Sequence, residues 1–165
     1  MSGKRPAQPR SRGLRLREVA RGIFEFVHPP EVEETQLDYE EAIELLRTGE
    51  HAAAKDALRF ALEACGDNVW VHLALGQLAL EQNPGPDVAL ARGHFGYIVE
   101  LAERAAGRDF RGRIDPRSPR NEPIFEAVSH LRAMNERAGR SADAARLDAI
   151  AQNWSGGRPF PPKSS

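Results

Sequence analysis

Hydrophobic and polar positions follow a helical period along most of the chain, and one stretch stands apart. Val69 to Leu80 reads V-W-V-H-L-A-L-G-Q-L-A-L, with only His72 and Gln77 clearly polar. Twelve residues rich in Leu and Ala, opened by Asn68 and followed by Glu81 and Gln82, predict a helix rather than a buried strand. A helix apolar on nearly every side needs neighbours on most sides. The segment is therefore expected at the centre of a helical array.

The flanking segments supply candidates for that array. Leu16, Val19, Ala20, Ile23 and Val27 fall at helical spacing and predict a short amphipathic docking helix over about 15–28, stopped by Pro29-Pro30. Glu31, Glu33 and Glu34 suit a helix start, and Val32, Tyr39, Ile43 and Leu46, with Ala42 and Leu45 beside them, mark a helix ending at Gly49. Ala54, Ala57, Leu58, Ala61, Leu62 and Cys65 mark the next helix, which stops at Gly66. After the central helix, Asn83-Pro84-Gly85-Pro86 is a break, and Asp87 is placed to cap a return helix carrying Val88, Ala91, Phe95, Ile98, Leu101 and Ala102. Gly93 and Gly96 within that helix predict a close approach by a neighbouring backbone. Residues 104–120 form an Arg-rich loop. Asn121, ahead of Pro123, is placed to cap a helix with Phe125, Val128, Leu131 and Met134, and Ser141 to cap a last one with Ala144, Leu147, Ile150 and Ala151.

These segments predict an all-α chain of about seven helices. Hairpins over about 31–65, 69–103 and 122–153 form a domain spanning 14–154, between a disordered basic arm, 1–13, and a flexible Pro-rich tail, 155–165. The hairpins repeat. Ala42 and Gly76 are 34 residues apart, as are Gly49 and Asn83, while Ala54 to Ala91, Leu58 to Phe95 and Ala61 to Ile98 are each 37 apart because of three extra residues around Pro84 to Pro86. The interval from Gly139 to Ala144 equals that from Gly49 to Ala54, marking a degenerate third unit with Asp148 where Leu58 and Phe95 stand. Asp148 suits a solvent-facing terminal unit.

A helix-turn-helix period of about 34 residues resembles the tetratricopeptide repeat. The second unit matches best, with Leu75-Gly76 similar to the family's Leu-Gly pair and Ala91, Phe95 and Ile98 where the family places a small residue, an aromatic and a core residue. The departures are His72 in place of the first-turn aromatic, Trp70 displaced by two residues, Glu41 where the second unit has Leu75, and Gly66 where a proline usually closes a unit. The resemblance implies a non-catalytic solenoid, an adaptor or scaffold that binds a protein partner's peptide or helix on its leading-helix surface. The residues implied are Tyr39, Ile43 and Arg47, then Trp70, Leu73, Gln77 and Glu81, then Ser129, Ala133 and Arg137. Tyr39, Trp70 and Leu73 have a second reading, in which the N-terminal helix covers them.

Charge adds a rival to that picture. The net charge is only −1, but residues 1–21 hold seven bases against one acid and residues 31–50 hold eight acids against Arg47. Such blocks attract each other or outside partners. The arm, with Arg10 and Arg12, and the loop, with Arg108, Arg111, Arg113, Arg117 and Arg120 around Phe110, are candidate contacts for nucleic-acid phosphates and a stacked base.

Candidate chemistry is sparse. His72 lies near the single cysteine, Cys65, but there is no H-E-x-x-H, C-x-x-C or phosphate-cradling glycine loop, so no enzyme activity, metal or cofactor is expected and His72 is read as a structural histidine. Glu40 and Glu44 are read as solvated or paired with Arg47 rather than as an acid-base pair. One cysteine excludes an intramolecular disulfide, and no segment has membrane-spanning length. A monomeric, cytoplasmic protein without membrane insertion is expected.

Overall fold

The N-terminal segment is extended rather than helical. The computed structural model describes residues 13–157, and in it Arg15–Ala20 (β1) and Ile23–Val27 (β2) pair as an antiparallel hairpin where helical spacing predicts a docking helix. Ile23-Phe24-Glu25-Phe26-Val27 is β-branched and aromatic, which suits a pleated surface. Arg21 and Gly22 form the turn, with Gly22 at a φ of 72°, a left-handed conformation that glycine reaches without a Cβ clash. Val19 and Ile23, which a helix would have turned inward, are exposed, whereas the pleat directs Leu16, Phe24 and Phe26 into the core. The register sets Leu16 opposite Phe26 and Arg17 opposite Glu25, with a shift between Glu18 and Ala20.

The helices come in three hairpins. Glu31–Glu34 (α1) is a single turn that ends at Thr35, whose hydroxyl donates to the Glu31 and Val32 carbonyls at 3.1 and 3.2 Å. Gln36–Arg47 (α2) continues after that interruption and packs on His51–Ala64 (α3). Val69–Leu80 (α4), capped as expected by Asn68, which accepts from the Val71 amide, packs on Val88–Ala106 (α5), capped by Asp87 through the Leu90 amide. Glu122–Arg137 (α6) packs on Ser141–Ser155 (α7). The expected cap at Ser141 is not made: the helix begins on it, and the residue before is Arg140.

Spacing of the hairpins is echoed in their geometry. In the first turn, Gly49 (φ 83°) donates to Leu46 O at 3.1 Å and Glu50 to Leu45 O at 2.8 Å. The third turn repeats this with Gly139 (φ 74°) donating to Glu136 O at 3.0 Å and Arg140 to Asn135 O at 2.8 Å. Ala42, Ala54, Leu58 and Ala61 of the first hairpin are buried, as are Gly76, Ala91, Phe95 and Ile98, their counterparts in the second. In the third, Arg132 and Asp148 stand where Ala42 and Leu58 stand in the first, and they form an ion pair at 2.5 Å.

α4 has neighbours on two sides, which explains its apolar circumference. Val71, Ala74 and Leu75 join Ala42, Leu58 and Ala61 in one buried cluster. Val69, Leu73 and Ala79 join Phe95, Ile98, Phe125 and Trp154 in another. A smaller cluster of Val99, Val128, Leu147 and Ala151 holds α7 to α5 and α6. Burying such side chains contributes roughly 1.5–3 kcal/mol each.

The Arg-rich loop also departs from its expected form. α5 runs on to Ala106, and Arg113–Ile114 (β3) joins β2 in parallel, with the Arg113 amide donating to Gly22 O at 2.9 Å. The fold is therefore mostly helical with a three-stranded sheet of order β1-β2-β3, not all-α. Asn121 fastens this sheet to α6. It is 1% exposed, accepts from the Phe26 amide at 2.8 Å and donates to Asp115 O at 2.9 Å, and so makes no side-chain cap. An unpaired amide at such depth would cost about 1–3 kcal/mol, which is why a polar residue occupies this position.

Candidate binding surfaces

Side chains from three leading helices converge on one face. On α4, Gln77 donates to Glu126 of α6 at 3.0 Å and lies 3.3 Å from Nε2 of His130. The His130 ring stacks on Phe95 with centroids 4.7 Å apart. Tyr39 of α2 is half-buried against the α2/α3 cluster, and its phenol is pushed to a higher pKa by burial first and by the negative charge of Glu126 second. Ile43, Arg47, Glu81 and Arg137 are exposed, and Ser129 and Ala133 are half-buried. Arg47 is held by Glu44 through two hydrogen bonds of 3.0 and 2.6 Å, so Glu44 is ion-paired, as its spacing from Arg47 predicts.

Two of the expected surface residues are withdrawn from that face. Leu73 is buried with Leu14 and Phe26 in the main core and is closed to a partner. Trp70 is half-buried and carries the ring of His28 at 4.1 Å. The expected covering helix is absent, and the contact on Trp70 is the ring of His28, which follows β2. His28 is fixed by a 2.7 Å hydrogen bond between Nε2 and Arg120 O, and burial depresses its pKa to about 4. Glu126 and His130 escape the sequence reading, although they continue a stripe with Ala133 and Arg137 at spacings of four, three and four, a readable signal.

The second candidate is a basic face of the sheet. The register places Arg15, Arg17 and Arg113 on the side opposite the core, with Arg21 at the turn and Arg111 beside β3. Glu25 takes Arg17 at 3.2 Å and Arg120 at 3.6 Å. Among the described residues, Arg15, Arg21, Arg108, Arg111, Arg113 and Arg117 have no carboxylate at ion-pair distance. Phe110 is half-buried and meets Phe24 edge-to-face at 5.0 Å. Among the described residues, Arg15, Arg17 and Arg21 make no ion pair with the acidic segment 31–50. Arg10 and Arg12 lie outside the described residues.

His72 is a buried structural group. Its Nε2 lies 2.7 Å from Gly66 O, which can only accept, so that nitrogen carries the proton. Its Nδ1 then accepts from Nδ1–H of His94 at 3.0 Å. Burial lowers both pKa values, that of His94 to about 4, which keeps the pair neutral. Tyr97 lies 4.7 Å from the His72 ring and donates to Asp67 at 2.6 Å, a bond that pushes its phenol up to about 12. Burial raises the pKa of Cys65 and keeps it a thiol.

No family model, curated protein or solved structure matches the chain. Among the described residues, no group of three or more His, Cys, Asp and Glu is placed to hold a metal ion, and no helix is long and apolar enough to cross a membrane.

Proposed function

We propose that the chain is a non-catalytic interaction module of tetratricopeptide-like repeats that holds a protein partner's peptide or helix along the face built by α2, α4 and α6. The observation that carries this reading is the convergence of Tyr39, Gln77, Glu126 and His130 from three helices, flanked by exposed Ile43, Arg47, Glu81 and Arg137. Amides, carboxylates and an imidazole set among apolar neighbours suit a peptide backbone and a few side-chain anchors. Repetition of the turn at Gly49 and Gly139, and the matched burial of the first two hairpins, support the repeat assignment.

A photo-crosslinking amino acid tests this. Placed at Ile43 or Arg137 in the full chain within its native cells, it should join the chain to one discrete protein, and the same group at Phe60, exposed on α3, should not. Equal adducts at all three positions, or none at any, would remove the reading.

A second reading is favoured by the unpaired arginines of the sheet: a polyanion such as nucleic acid lies across Arg15, Arg21, Arg111 and Arg113. Phosphate contacts of this kind weaken steeply with salt. Arg15→Glu with Arg113→Glu should reduce retention on a polynucleotide without regard to its sequence and flatten the salt dependence. Retention unchanged by both substitutions would exclude it.

A further inference from the structure

The side of the molecule formed by α3 and α5 carries a cleft that the partner face does not use. Both helices pack on α4, and between them lies a hollow of about 520 Å³. That volume lies within the range of small-molecule sites, roughly 300–1,000 Å³. Leu62, Leu78 and Leu90 give it an apolar lining, while Lys55, Arg59 and His94 give it a polar edge. It continues past His94 into a second hollow of about 430 Å³ that shares Leu62 and Leu90 and extends to Gly93.

Two observations indicate that this trough is shaped for something other than the chain itself. Lys55 and Arg59, one helical turn apart, have no carboxylate at ion-pair distance among the described residues. Gly93 costs the helix about 1 kcal/mol relative to alanine, yet a Cβ there would meet nothing within 4 Å. The close helix approach that glycine at 93 and 96 predicts is absent at both. At Gly93 the missing side chain instead leaves the trough open.

We propose that the α3–α5 trough binds a small amphipathic carboxylate, with its charged group at Lys55 and Arg59 and its apolar body over Leu62, Leu78 and Leu90 towards Gly93. The charge of the edge selects an anion, and the leucines select a hydrocarbon or aryl body. A paired lysine and arginine hold a carboxylate through charge-assisted hydrogen bonds. His94 donates its Nδ1–H to His72 and stays neutral, so the positive charge of the edge is that of Lys55 and Arg59.

Decanoate titrated into the full chain, followed by calorimetry and by amide chemical shifts, tests the assignment. Saturable one-to-one binding is expected, with shifts at Leu90, Gly93 and Arg59. Decanol and decyltrimethylammonium should bind at least tenfold more weakly. Lys55→Glu with Arg59→Glu should weaken decanoate at least tenfold, and Gly93→Leu, which fills open space on a helix, should block it while leaving the circular dichroism unchanged. Absence of saturable decanoate binding, decanol binding as tightly as decanoate, indifference to either set of substitutions, or tighter binding of a short apolar peptide with a free C-terminal carboxylate would each overturn the proposal.

Discussion

Gly76 lies so close to Phe95 that a Cβ added to it would sit 2.5 Å from Cε1 of the ring. The first hairpin solves the same contact with Ala42 and Leu58, both fully buried. The larger ring on one helix and the missing side chain on the other are thus two halves of one substitution. Alanine at 76 would add about 1 kcal/mol of helix propensity but overpack the interface by roughly 1–3 kcal/mol. Gly76→Ala should therefore destabilise the protein by about 1 kcal/mol in urea unfolding. Combined with Phe95→Leu, which recreates the pair of the first hairpin, it should show a favourable coupling of at least about 1 kcal/mol. Strict additivity would mean the two hairpins are not equivalent.

The ion pair of Arg132 and Asp148 occupies the same place in the third hairpin, with both side chains roughly 40% exposed, at 39% and 44%. Partly exposed pairs contribute little, about 0–1 kcal/mol. Replacing both, as Arg132→Ala with Asp148→Leu, should therefore raise the melting temperature by a few degrees, the equivalent of about 1 kcal/mol. A fall in melting temperature would show that this contact has a role its counterparts lack.

Asn121 offers a sharper loss. Asn121→Ala strands the Phe26 amide and the Asp115 carbonyl and opens a void, at an expected total of about 2–4 kcal/mol. Hydrogen exchange at Phe26 should accelerate more than exchange within α3, because the damage begins at the seam between sheet and helix. Uniform acceleration across the chain would argue against a local fastening.

Acid sensitivity follows from His28. Its pKa falls from 6.5 to about 4 on folding through burial, so the unfolded chain binds the extra proton between those values. Stability from this group is present above pH 6.5 and is lost as pH falls towards 4. The expected loss is about 2 kcal/mol, below the full linkage value because the ring is only partly sheltered from water. His28→Gln should flatten the stability profile across this window. The same slope in the variant would assign the effect to His94 or to the carboxylates.

The helical hairpins are legible because their apolar residues recur at three and four and their turns carry Gly49, Gly139 and the Asn83–Pro86 break. The N-terminal hairpin is not, since Leu16, Val19, Ala20, Ile23 and Val27 satisfy helical spacing by coincidence. The alternation of Ile23 to Val27 and the two-residue Arg21-Gly22 turn carry the competing signal, and the sheet that rewards it depends on Ile114, which is distant in sequence. The same distance hides Asn121: Asn ahead of a helix ordinarily caps it, and only the fold brings Phe26 to its side chain. At the candidate surface, helical phase finds the stripe on α6, but whether Trp70 and Leu73 face solvent depends on tertiary packing, as the ring of His28 on Trp70 shows.

The sheet also orders the events by which the chain assembles. Each helical hairpin closes between neighbouring segments, whereas Phe26 and Asn121 meet across 95 residues. Loop-closure entropy and contact order make the short closures fast and the long one slow. The three hairpins are therefore expected to form before the strands engage. On partial unfolding, the seam at Asn121 is expected to part before the hairpins do, releasing the sheet while the helices remain intact.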